Sequence, residues 1–79
     1  MNNMKDLYTV VAKELKNNIE KNNTPYYTGR IEMNNWKLNI SCVVYSDGHI
    51  VPIWWEFFLN DSPDNEFCFD EFNEIYKKI

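Results

Sequence analysis

The sequence predicts an α+β domain of two layers in the order α-β-β-β-α, with two helices and an antiparallel three-stranded meander, and room for a short fourth strand at 67–69. Three observations predict it. Apolar residues in the first quarter recur every three or four positions, the period changes to two from Tyr26 onward, and Asn34-Asn35 and Asp47-Gly48 stand where hairpin turns are needed. One continuous pattern with no linker predicts a single domain, residues 1–79.

Met4, Leu7, Tyr8, Val11, Leu15 and Ile19 form one stripe on a helix expected from about residue 3 to 22. Pro25 cannot continue that helix and disfavours helical geometry at Thr24. Tyr27, Gly29, Ile31 and Met33 then alternate with Tyr26, Thr28, Arg30 and Glu32 up to Asn34-Asn35, a pair that tolerates positive φ and suits a two-residue turn. The next run, Trp36, Leu38, Ile40, Cys42 and Val44, alternates with Lys37, Asn39, Ser41, Val43 and Tyr45.

Residues opposite one another across a hairpin share a face, so each turn implies a register. The first pairs Met33 with Trp36, Ile31 with Leu38, Gly29 with Ile40 and Tyr27 with Cys42. The second is expected to pair Val44 with Val51, Cys42 with Ile53, Ile40 with Trp55, Leu38 with Phe57 and Trp36 with Leu59. One face is then almost wholly apolar and is the core. Pro52 would face Val43, its missing N–H turned away from the middle strand.

After the turn-rich stretch 60–65, Phe72, Ile75, Tyr76 and Ile79 follow helical spacing, with Asp70 as the expected N-cap and Lys77-Lys78 suiting the C-terminal end of the dipole. Three strands span only ~14 Å, whereas two helices side by side need about 20 Å. Both helices are expected on the core face, with the covered area widened by a fourth strand or by a second subunit. The alternative places the second helix on the other face.

That other face reads Glu32, Lys37 and Phe58, then Arg30, Asn39 and Glu56, then Thr28, Ser41 and Trp54. Beyond these the register gathers Tyr26, Val43, Tyr45, Ile50, Pro52 and Trp54 into an apolar, aromatic patch. A patch of this kind is expected to be covered. The leading expectation is a homodimer with Arg30, Lys37, Glu32 and Glu56 as polar rim; cover by the chain's own second helix is the next, and an unidentified protein partner follows. Tyr and Trp are enriched at interface centres, which singles out Trp54.

Chemistry has little to stand on. His49 is the one histidine and lies near Asp47 and Asp61, yet Asp-Gly-His is explained by a tight turn leading into a strand. Cys42 belongs to the core row, Cys68 has acids beside it, and reduced thiols are expected rather than a Cys42–Cys68 disulfide. Asp61, Asp64, Asn65, Glu66 and Asp70 lack the glycine and spacing of a calcium loop. With no zinc spacing, phosphate loop or dinucleotide fingerprint, neither metal nor cofactor is expected, and the chain reads as non-enzymatic.

A net charge of -4 disfavours a nucleic-acid backbone as partner. A weak single-stranded binder would have to stack bases on Tyr26, Tyr45 and Trp54 with only Arg30 and Lys37 to help. An acidic regulator or nucleic-acid mimic would present the carboxylates from Asp61 to Glu74 to a basic protein. No apolar run approaches the ~20 residues of a membrane span, and no signal-peptide pattern follows Met1, so the expected location is cytoplasmic. The order of elements is generic and carries no function by itself.

Overall fold

The stripe read from the first quarter is the buried side of α1 (Met4–Asn22): Tyr8, Val11, Ala12, Leu15 and Ile19 face inward. The computed structural model describes residues 4–79, so the expected helix start at residue 3 lies outside the described residues. Asn23 ends the helix in the left-handed region at φ 57°, a conformation asparagine tolerates. The side chains of Asn22 and Thr24 then hold the Tyr26 carbonyl and aim the chain into the sheet.

The sheet has the order β1-β2-β3-β4, all antiparallel, from β1 (Tyr26–Glu32), β2 (Trp36–Val44), β3 (Ile50–Leu59) and β4 (Ser62–Pro63). β1 and β2 pair as the alternation predicts, Tyr27 with Cys42, Gly29 with Ile40 and Ile31 with Leu38. Met33 departs from expectation: it lies past the end of β1 and is exposed instead of closing the core row. The turn falls at Asn34-Asn35, but neither residue adopts positive φ.

β3 also holds its expected register from Leu59 to Trp54, with Leu38 opposite Phe57 and Ile40 opposite Trp55. Toward the Asp47-Gly48 turn the register slips by one residue, so that Cys42 meets Pro52, Val43 meets Val51 and Val44 meets Ile50. The turn explains the slip. The Tyr45 N–H donates to the His49 carbonyl, which leaves a three-residue loop, and Gly48 takes φ 97° as such loops require.

A one-residue slip left uncorrected would turn Trp55 and Phe57 to the wrong face. A bulge at Ile53, the unpaired residue between Pro52 and Trp54, restores the parity. Ile53 is consequently 63% exposed. Ile50, expected on the outer face, is fully buried in the core, and Pro52 is carried to the core side opposite Cys42 instead of facing Val43.

Deleting Ile53 removes the bulge without altering any remaining pair. Its urea-unfolding stability is expected to stay within about 1 kcal/mol of the natural chain, as for changes at exposed positions. Deleting Glu56, inside the regular ladder, reverses Phe57 and is expected to abolish cooperative unfolding. Equal damage from both deletions would contradict the parity argument.

The fourth strand is not at 67–69. It is Ser62–Pro63, joined to β3 by Asn60-Asp61, both in the left-handed region at φ 52° and 65°, with Leu59 opposite Ser62. Phe67 leaves the sheet because its ring plugs the core, with centroids 4.4 Å from Phe57, 4.9 Å from Tyr8 and 5.2 Å from Phe72. The chain then enters α2 (Phe69–Lys77) with Cys68, not Asp70, at the N-cap. Asp70 and Glu71 occupy the first turn, beside the positive end of the dipole.

Both helices lie on the core face. Tyr8 of α1 and Phe72 and Tyr76 of α2 share one cluster with Leu38, Ile40, Cys42 and Phe57 of the sheet. Two polar ties fix α2: the Cys68 N–H donates to the Tyr8 hydroxyl at 2.8 Å, and Asn73 brackets Ile50. The Asn73 Oδ1 accepts from the Ile50 N–H at 3.1 Å and its Nδ2 donates to the Ile50 carbonyl at 2.8 Å. α2 spans only nine residues, about 14 Å, so it covers part of the sheet's length rather than needing a wider sheet.

Candidate association surface

With both helices on one side, no layer of the described residues covers the outer face of the sheet. One half of it satisfies itself. The Arg30 Nε–H donates to Asn39 Oδ1 at 3.0 Å, Asn39 Nδ2 donates to Glu56 Oε2 at 3.5 Å, and the hydroxyls of Thr28 and Ser41 meet at 2.9 Å. The Lys37 ammonium sits 5.8 Å from the centroid of the Phe58 ring. Each of these contacts joins residues placed opposite by the strand register.

The other half is apolar. Tyr26, Val43 and Val51 form one cross-strand row, with Trp54 in the row beside it. Tyr26 is 61% and Trp54 54% exposed, and Tyr45, Val51 and Ile53 are exposed as well. Tyr45 stacks on His49 at 4.7 Å beyond the end of β2. Of the six residues expected here, Tyr26, Val43, Tyr45 and Trp54 are on or beside this patch, whereas Ile50 and Pro52 are not.

Val51 and Ile53 replace Ile50 and Pro52 as a direct consequence of the bulge. The alternative, in which α2 covers this face, is excluded by its place in the core cluster. Large neighbouring aromatic and β-branched side chains of this kind, bordered by charged and polar residues, have the composition typical of an interface centre.

The groups weighed for chemistry are dispersed. Asp47 caps its own turn, accepting from the His49 backbone N–H at 3.1 Å and bonding the His49 ring nitrogen; these bonds, the backbone one foremost, hold its carboxyl below the usual range. Asp61 lies at the far end of the ten-residue β3, so it does not converge with His49. Cys42 is a free, buried thiol that burial pushes up to about 11, and Cys68 is free and exposed.

Among the described residues, no group of three or more His, Cys, Asp or Glu is gathered for a metal ion, and no helix is long and apolar enough to cross a membrane. A cleft of about 110 Å³ lies between Glu32, Met33, Trp36, Lys37, Phe58 and Asp61, below the several hundred Å³ of typical small-molecule sites, and His49 does not line it. No protein-family model, curated protein or solved structure matches this chain.

Proposed function

We propose that this chain is a non-enzymatic protein-interaction domain that self-associates through the outer face of its sheet. The observation that carries the reading is the contiguous patch of Tyr26, half-buried Val43, Val51 and the adjacent Trp54 on a face whose polar half is already satisfied within the chain. Burying such a patch is favoured by about 25 cal/mol per Å², and rigid aromatic side chains lose little conformational freedom when buried. A second copy offers the same patch and the same mixed-charge rim, which suits a twofold contact. Two free thiols suit a reducing compartment, and we read the location as cytoplasmic.

Trp54→Lys places a charge at the centre of this contact while touching nothing in the core. It is expected to halve the molar mass, measured by light scattering on a sizing column, at concentrations where the natural chain is associated, with the far-UV circular dichroism unchanged. A natural chain that is monomeric at every concentration, or an unchanged mass in Trp54→Lys, would overturn the reading.

A further inference from the structure

The two edges of the sheet are treated differently. Along the outer edge of β3, Asn73 bonds both backbone groups of Ile50, Pro52 has no N–H to offer, Ile53 bulges, the Asp64 N–H donates to the Phe57 carbonyl at 2.9 Å, and β4 pairs with Phe58 and Leu59. That edge is closed at both ends, by Asn73 and Pro52 at one and by β4 at the other. β1, at the other end of the strand order, has no proline and no bulge, and no strand among the described residues covers its seven residues.

Which of its backbone groups are bare follows from the ladder. The Val44 N–H donates to the Pro25 carbonyl and the Met33 N–H to the Trp36 carbonyl, so the odd-numbered residues of this segment bond inward to β2. The even-numbered ones turn their backbone N–H and C=O outward. The Tyr26 carbonyl is taken by Asn22 and Thr24, whereas Thr28, Arg30 and Glu32 meet no further strand among the described residues. The charges on this edge, Arg30 and Glu32, are of opposite sign, so they do not exclude an antiparallel copy of the same strand; they select its register.

We propose that β1 docks against β1 of a second copy, antiparallel about a twofold axis at Ile31, with Arg30 of each copy opposite Glu32 of the other. Moving the axis to Arg30 or to Glu32 would set like charges face to face, and moving it to Gly29 leaves both charges without an opposite partner. The chosen register forms hydrogen-bonded pairs from the outward groups of Arg30 and Glu32, which is where the ladder leaves them. On the core side it lays the exposed Met33 beside Gly29 of the other copy. There the Tyr27 ring lies across Gly29, so close that a Cβ on Gly29 would stand 2.6 Å from the Tyr27 hydroxyl, and the thioether meets an aromatic surface.

This edge contact is separate from the outer-face contact and stands or falls separately. The experiment uses the Trp54→Lys chain, in which the outer face is silenced, and measures mass by light scattering. That chain is expected to be a dimer held by β1 alone, half the mass of a natural assembly that uses both contacts. Adding Arg30→Glu, or adding Glu32→Arg, sets like charges against each other twice in a homodimer and is expected to raise the dissociation constant at least tenfold. An equimolar mixture of those two double variants restores opposite pairs at both positions, and a heterodimer is expected to form.

A Trp54→Lys chain that is monomeric at every concentration overturns the edge contact while leaving the outer-face reading intact. Failure of the mixture to associate, with both variants folded by circular dichroism, overturns this register. A mass unaffected by Trp54→Lys together with heterodimer formation in the mixture overturns the outer face and supports the edge.

Discussion

Phe72→Ala is expected to leave the domain largely unfolded at room temperature. Phe72 is fully buried and its ring sits within 5.2 to 6.3 Å of the rings of Tyr8, Phe67, Phe69 and Tyr76, so it joins α1, the loop and α2 in one aromatic cluster. Truncating a buried Phe to Ala costs about 3–5 kcal/mol through lost transfer energy and the cavity left behind. A lone core of this size supplies roughly 3–5 kcal/mol of net stability, so the loss is comparable with the whole. Urea titration followed by near-UV circular dichroism should show no native baseline for Phe72→Ala and a lowered midpoint for Phe72→Leu. A midpoint for Phe72→Ala close to that of the natural chain would contradict the placement of the cluster at the centre of the fold.

Asn73→Leu is the second large effect. The Asn73 amide serves as a substitute strand for Ile50, satisfying an N–H and a C=O that point away from β2 because the neighbouring Tyr45–His49 pair is the hydrogen-bonded one. Removing it leaves both groups beside a fully buried side chain, at about 1–3 kcal/mol for each unsatisfied group. Asn73→Asp retains an acceptor for the N–H but sets a carboxylate oxygen against the carbonyl, and is expected to fall between the two. Amide exchange at Ile50 is the specific readout. It should accelerate in Asn73→Leu far more than exchange at Leu38 in the middle strand, and equal acceleration at both would mean that Asn73 acts only through global stability.

Asn73 also marks a limit of what the sequence discloses. It falls between Phe72 and Tyr76 on α2, off the apolar stripe, and a polar residue there reads as solvated. The only hint was its spacing, four residues after Phe69 and three before Tyr76, which puts it at the border of the buried side. A helix period reveals which residues are buried, but not which border residue completes a hydrogen bond to a strand distant in sequence.

The strands were legible where their alternation was strict. Trp36 to Val44 contrasts apolar with polar at nearly every step, and its partners on both sides followed over most of their length. VPIWW at 51–55 offers no such contrast, since either parity puts apolar side chains on both faces. The register there was set by the three-residue turn at Gly48 and corrected by the bulge at Ile53, two local events that cancel beyond Trp54. Trp55 and Phe57 were therefore placed rightly while Ile50 and Pro52 were placed on the wrong face.

Turn chemistry was similarly partial. Asn34-Asn35 and Asn60-Asp61 are alike in residue type, yet only the second pair takes the left-handed conformation that builds a hairpin, and the two-residue strand it creates is too short for any periodicity to reveal. The outer patch was legible as a surface because aromatic residues alternated with core ones; which residues compose it depended on a bulge that periodicity cannot see.

Self-association through the outer face of the sheet is the proposal on which the function rests, and Trp54 reports on it directly. Trp36 is 4% exposed and Trp55 half-buried, so Trp54, the most exposed of the three tryptophans, dominates quenching of the indole emission by acrylamide. Quenching should be measured on the natural chain across a dilution series from hundreds of micromolar to well below one micromolar. The outer-face contact predicts that Trp54 is shielded at high concentration and becomes freely quenchable on dilution, with Val51→Lys open throughout. Equal quenching of the natural chain at every concentration would contradict it.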